Sequence, residues 1–518
     1  MFYDIKRRRT RVAAATMAVG VLLSVFITGV TSSSAVAAAV KDRTITIDMA
    51  GYPSTLDPGL QYDSFSYWVY RNIYDQLLRR NSKTLKPMPW IATFWKRTNP
   101  TTWEFTIRNN VKFSDGTPLT AYDAAFSLNR ILDKNFNSPQ YANFSVVKTA
   151  KALDATHLEI ETSAPSPTLL SFLTTLSIVS QAYVEKVGNA QVNLKPMGSG
   201  PYLMKSTIPG SQVILVRNNS YWKGKPAIAT VVFRAVPAVA VRVADLQSGR
   251  AQLVTTLGVD QAIQLKSMRS VQVLATPTER VAYLAMNVLG NTPTKNLKVR
   301  QAIVAAINYD SLIKNLVGDY GTRVNAVLTP LSFGYPKDAT PLTYDPQRAK
   351  SLLAEVGTPN PVIKFPTSPA FNPQIVQAIQ SDLQAVGFTV NISNTDQATY
   401  LKAIQNPAHD WGSLRLGAWS CSCLDADGVI YPLFHTGTIW SSYSNKQFDA
   451  AVELGRTSNL VATRNKAYAT AFSILRNDLP GIGLYQQDAI YGASPQLRWK
   501  PDAAESLYLD QMSLTGKA

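Results

Sequence analysis

Apolar and polar residues alternate from Trp103 onward. Trp103, Phe105 and Ile107 fall on one side and Glu104 and Thr106 on the other, which is the period of a half-buried strand. Val111 and Phe113 resume the alternation after the polar break Arg108-Asn109-Asn110, so two strands and a tight turn are predicted. Asp115-Gly116-Thr117-Pro118 then supplies turn chemistry. Thr120, with Asp123 three residues on, forms a capping box that starts a helix near Ala121. The same period of two marks Thr44 to Met49 and Ser211 to Val216 as strands, whereas Val299 to Leu316 and Pro373 to Val386 carry apolar residues at helical spacing. Strands and helices mixed along the whole chain indicate α/β layers. Pro and Gly are spread out and no internal repeat is evident, so the lobes are not strung on one linker.

The first residues follow another pattern. Lys6, Arg7, Arg8, Arg9 and Arg11 precede an apolar run from Val12 to Val30, and Ala35-Val36-Ala37 offers small residues for cleavage, so residues 1–39 read as an export signal. The run of 19 residues is also near the length that spans a bilayer, which leaves an uncleaved anchor as the other reading. The arginine pairs admit either the general or the twin-arginine export route. No cysteine follows the run to accept a lipid, so a periplasmic protein is expected. The formal charge is +17, of which +13 remains beyond residue 39. No Lys/Arg-rich stretch with interleaved aromatics accompanies that charge, so a basic surface is expected rather than a nucleic-acid partner.

The block from Trp103 to Arg130 closely resembles the signature of the family 5 extracellular solute-binding proteins, the dipeptide, oligopeptide and nickel receptors of ABC importers. Further segments resemble that family in order and spacing: Leu56-Asp57-Pro58, Asn72-Ile73-Tyr74-Asp75-Gln76-Leu77, Gly198-Ser199-Gly200-Pro201-Tyr202, Tyr221-Trp222-Lys223-Gly224-Lys225-Pro226, Leu246-Gln247-Ser248-Gly249, Val299-Arg300-Gln301-Ala302-Ile303 and Tyr443-Ser444-Asn445. The resemblance covers residues 45 to 490 and implies a periplasmic-binding-protein-like α/β fold of two lobes joined by a hinge, with a subdomain inserted in the first. It would place the first lobe at 40–82, 195–285 and 486–518, the inserted subdomain at 83–194 and the second lobe at 286–485. It also implies a monomer that closes on a peptide or peptide-like solute and docks on a permease served by ATPase subunits, with no cofactor. The alternative on the same scaffold is a receptor for a metal chelate or haem.

Residues 415–428, RLGAWSCSCLDADG, occupy the place of the family's "GW...DPDNF" motif. By that resemblance Asp425 binds a ligand ammonium, although Ala426 stands where the family has Pro. Solvated turn positions are the other reading of Asp425 and Asp427. Trp419 either stacks on the ligand or fills the lobe, Arg415 either pairs a ligand carboxylate or a surface acid, and Tyr52 is expected near the cleft. Cys421 and Cys423 are the chain's only cysteines, and an oxidising compartment makes a disulfide the default. Free thiols, or a soft metal site shared with His435, are the alternatives; His157 and His409 are distant in sequence. No GxSxG, HExxH, GxxxxGK[ST] or GxGxxG pattern is present, so no enzyme is expected and no metal site is assigned.

Overall fold

Two long strands organise the molecule. In the computed structural model, which describes residues 43–515 apart from Tyr62, Gln272–Met286 and Gly481–Ala493 pair antiparallel along nearly their whole length. The expected export signal lies outside the described residues. Among the described residues these strands sit inside a nine-stranded sheet ordered 414–419, 272–286, 481–493, 253–254, 44–49, 230–235, 212–217, 202–208, with 321–323 also paired to 481–493. At one end the two strands join a core built on Ile45, Ile47, Met49, Val213, Leu215, Val231 and Phe233. At the other they join the core of Val299, Ile303, Leu352, Ile363, Phe365, Ile379 and Leu416. The first lobe and the second lobe are therefore threaded by the same two strands. A four-stranded sheet, 92–99, 102–107, 157–162 and 147–152, packs with helix Ala121–Leu132 around a third core that includes Phe105, Leu128 and Ile160.

The pairing of the two long strands is interrupted twice, between Pro277 and Val281 and again between Ala282 and Tyr283, and the first break is the wider. Pro277 faces Asp488 and Val281 faces Gln486, so three residues, 278 to 280, oppose Gln487 alone. Such a bulge bends and twists a strand locally. Thr278 anchors it: its hydroxyl donates to the Gln487 carbonyl at 2.7 Å, and the Gln486 amide side chain donates back to the Thr278 carbonyl at 2.7 Å.

The motif residues prove to be scaffold. Asp57 is fully buried and grips Arg130, the last residue of the signature block, through both oxygens at 2.9 and 2.5 Å. Asp75 is 2 % exposed and accepts from Trp90, Ser199, Tyr221 and Trp222, so one carboxylate ties three of the sequence segments together. Burial pushes its pKa up against the pull of those four donors. Gly198 and Gly200 are required by the same junction, because a Cβ there would stand 2.1 Å from the Ile73 carbonyl oxygen and 2.6 Å from that of Asn72.

Strand 44–49 is found as expected and the second appears at 212–217. The helix after Thr120 starts at Ala121, with Asp123 accepting from the Thr120 amide at 2.9 Å. Two expectations fail. Val111 and Phe113 are buried outside any strand, because the chain folds back around Gly116 and spends its amides locally, Phe113 N on Thr117 O and Leu119 N on Val111 O. The helix expected over 299–316 ends at Ala306, since Asn308 caps a new short helix by accepting from the Ser311 amide at 3.0 Å.

Candidate functional site

Where the 420–424 loop of the second lobe meets the first lobe, four segments of the chain bring six charged side chains together. Helix Ser64–Tyr70 carries Tyr67 and leads to Arg71, strand Leu78–Arg80 ends in Arg80, the bulge supplies Glu279 and Arg280, and the loop beyond the second long strand supplies Asp502 and Glu505. The loop is tied to the bulge by the Glu279 amide on the Ala503 carbonyl at 3.3 Å and by Arg280 on Glu505 at 3.5 Å. Asp502 caps its own loop, accepting from the Ser506 amide at 3.0 Å. Arg80 is buried in the first lobe, yet its guanidinium donates to the Ser422 carbonyl of the second. That contact places the cysteine-bearing loop directly over the cluster.

Several polar atoms in the cluster are unsatisfied. Glu279 Oε2, Arg71 Nε and the Tyr491 hydroxyl are enclosed and have no hydrogen-bond partner. Arg71 packs 4.4 Å over the Tyr67 ring, and its contact to the Ser506 hydroxyl is long, 3.4 Å. Burial pushes the Glu279 carboxyl up to about 7, with Arg80 the leading opposing charge and Glu505 reinforcing the rise. A buried polar group without a partner is uncommon in a native fold, and three such groups gather here.

The loop facing this cluster is built rigidly. Cys421 and Cys423 are joined by a disulfide, and Leu424 adopts a left-handed backbone at φ 51°. The Phe333 amide donates to the Leu424 carbonyl and the Ala426 amide to the Phe333 carbonyl, at 2.9 and 3.0 Å. Gly428 must be glycine, because a Cβ would lie 2.1 Å from Cys421 Sγ and 2.3 Å from Cys423 Sγ. Asp425, expected to meet a ligand ammonium, is 4 % exposed and has another partner: Arg464 donates to both of its oxygens at 2.7 Å, and the Asp427 amide adds a third bond at 3.0 Å. Asp427 lies beside Arg456 at 3.2 Å, and burial lifts its pKa to about 6. Arg415 is 4 % exposed and points into aromatic surroundings, bonding the Tyr283 hydroxyl at 3.1 Å with the Trp411 ring 5.6 Å away. Trp419, half-buried, donates to the Gly428 carbonyl at 2.8 Å and meets Trp440 edge to face. Tyr52 bonds Thr207 at 2.5 Å on the first-lobe core.

The sequence profile of the bacterial extracellular solute-binding proteins, family 5 Middle, matches residues 86–441. The chain belongs to that family. The glutathione-binding protein GsiB of Escherichia coli strain K12 is 26 % identical over 483 residues, spanning 90 % of this chain and 94 % of that one. Among solved structures, the ABC transporter substrate-binding protein CtaP of Listeria monocytogenes superposes with a TM-score of 0.84 at 22 % identity, covering 92 % of this chain and all of that one. The periplasmic binding protein DppA of Helicobacter pylori, in complex with the peptide STSA, gives 0.78 at 24 % identity over 91 % and 98 % of the two chains. NikZ of Campylobacter jejuni, in complex with Ni(L-His), gives 0.79 at 20 % over 91 % and 99 %.

Within this family 5 protein, cavity size does not single out the cluster. A cavity of about 950 Å³ opens between residues 325–342 and the helix Val461–Asp478, lined by the second lobe alone. Sequence reading pointed to one wall, the 415–428 loop, and missed Arg71, Arg80, Glu279, Arg280, Asp502 and Glu505. The available signal was weak: Thr278-Glu279-Arg280 is a polar interruption in an otherwise apolar strand, the usual mark of a bulge.

Proposed function

We propose that the protein is an exported, monomeric receptor that captures a peptide or peptide-like amino compound between its lobes and presents it to the permease of an ABC importer, which ATPase subunits drive. Closure occurs about the bulge at 278–280 and the facing residues 486–488, the wider of the two interruptions in the strands that thread both lobes. The observation that carries this reading is the cluster of charged groups that the first lobe gathers beside that hinge, with Arg80 bonded to the Ser422 carbonyl of the second lobe. A contact made only when the lobes meet stabilises the closed state, and a solute bridging them does so further. Trp419 and the disulfide-bound loop form the second-lobe wall, while Asp425, Asp427 and Arg415 hold that wall in shape. Tyr52 flanks the first-lobe side.

A peptide is favoured over a metal chelate or haem because both sulfurs that a soft metal would need are bonded to each other. Names of relatives point the same way, since GsiB is a glutathione-binding protein and the Helicobacter DppA structure holds a peptide. Residues 1–39 are proposed as the signal that delivers the protein to the periplasm.

Native mass spectrometry of the protein purified without refolding tests this reading. A bound mass of a few hundred daltons that fragments to amino acids is expected, with glutathione and short peptides as reference compounds. A metal isotope pattern or a haem mass would overturn it.

A further inference from the structure

The cavity of about 950 Å³ in the second lobe has two differently built sides. One is the helix Val461–Asp478, which lines it with Asn465, Ala469, Phe472 and Arg476, spaced at three or four residues along one face. The other is the stretch 325–342, which forms neither helix nor strand beyond a single bridge from Phe333 to Asp425. That stretch is pinned over the helix from three points: Arg323 donates to the Leu342 carbonyl, the Asn325 amide side chain to the Ala339 carbonyl at 2.9 Å, and Arg476 to the Thr340 carbonyl at 2.5 Å. Val327, Phe472, Leu475, Leu479 and Ile482 are buried in the lobe and yet border the open volume. Native cores rarely leave so much space unfilled, because each side chain facing a void forfeits packing contacts. The charged residues of the lining are Lys337, Arg476 and Asp338. Lys337 is exposed and without a partner, and half-buried Arg476 spends one amino group on a backbone carbonyl and pairs with no acid among the described residues.

We propose that this cavity is a second ligand site, separate from the cleft between the lobes, for a small amphipathic anion: an apolar chain or ring system that carries one carboxylate or sulfonate. Its volume falls in the range of small-molecule sites, roughly 300–1,000 Å³, and such sites are mostly apolar with a few placed polar groups. The apolar body of the ligand covers Val327, Phe472, Leu475, Leu479 and Ile482, and the removal of that surface from water drives binding. The anionic head meets the free edge of the Arg476 guanidinium, whose planar fork matches a carboxylate, with the Lys337 ammonium as a second positive charge. Five apolar wall residues suit a hydrocarbon or an aromatic ring better than the hydrogen-bonding backbone of a peptide, so the cavity takes a different class of molecule from the cleft.

The test is a fluorescence titration of the ligand-stripped full-length mature protein with 1-anilinonaphthalene-8-sulfonate, an apolar anion that brightens out of water, followed by displacement with dodecanoate or with dodecyltrimethylammonium. One-to-one binding is expected, reversed by dodecanoate and not by the cation of the same chain length. Lys337→Gln breaks no bond in the fold, so it should weaken the dye with an unchanged melting temperature, and the pair Lys337→Gln and Arg476→Gln should weaken it by about 10-fold, the low end for a hydrogen bond to a charged group. Ala469→Trp, at an exposed position of the helix that lines the cavity, should fill the space and abolish dye binding. The same variant should keep the solute that copurifies in the cleft, as read by native mass spectrometry. Wild type that binds no dye, equal displacement by both detergents, or equal dye binding by wild type and Ala469→Trp would overturn the inference and leave the receptor reading standing. Loss of the copurifying solute from a folded Ala469→Trp would overturn it as well, by making the cavity part of the cleft.

Discussion

Residue by residue, several buried acids hold the protein together, while Glu279, Asp427 and Asp488 each keep an enclosed oxygen without a hydrogen-bond partner. Asp425 belongs with Asp57 and Asp75, each enclosed and saturated with donors. Removing one partner of such a pair leaves a buried charge unmatched, so Arg464→Met should lower the unfolding free energy by about 3–5 kcal/mol in denaturant titration. A loss below about 1 kcal/mol would show that the pair is not buried in solution. Gly428→Ala should cost about 1–3 kcal/mol by forcing a methyl against both cysteine sulfurs, read as a lower melting temperature. Glu279 behaves in the opposite sense. Its carboxyl rises from an ordinary 4.5 to about 7, so it favours the folded state below 4.5 and that contribution is lost as pH climbs through 7. Unliganded wild type should therefore lose more stability between pH 5 and 8 than Glu279→Gln does.

At the level of elements, local pattern was readable wherever one segment decides its own conformation. Thr120 and Asp123 started a helix where the spacing said they would, and Ile45, Ile47 and Met49 formed the fully buried face of a strand. Val111 and Phe113 misled, because alternation fixes which side chains are buried but not whether a partner strand is available, and here a turn consumed the amides. The helix beyond Ala306 failed for a local reason, the Asn308 cap, which apolar spacing alone overlooks. The candidate site was the least legible part. Glu279 acquires meaning only when residues 64–71, 78–80 and 502–506 converge on it, and no spacing along the chain records that meeting. The 420–424 loop was visible through its two cysteines, and its contribution as an element can be measured. Replacing both with Ser should lower the melting temperature by several degrees and weaken solute binding, since the wall opposite Arg80 would no longer be preformed. Unchanged affinity in the double variant would remove the loop from the binding surface.

For the molecule as a whole, the family assignment and the two threaded lobes lead to one physical expectation. The strands 272–286 and 481–493 are continuous through both lobes, so relative motion is expected where their pairing is interrupted, at the 278–280 bulge that Thr278 anchors and at the shift between Ala282 and Tyr283. Solute contacts from both sides then shift an existing open and closed equilibrium rather than create a new shape. Small-angle X-ray scattering of the ligand-stripped protein, before and after adding the solute that copurifies with it, measures this directly. A smaller radius of gyration and a shortened maximum dimension on addition are expected. Identical scattering curves with and without a saturating solute would contradict capture by closure.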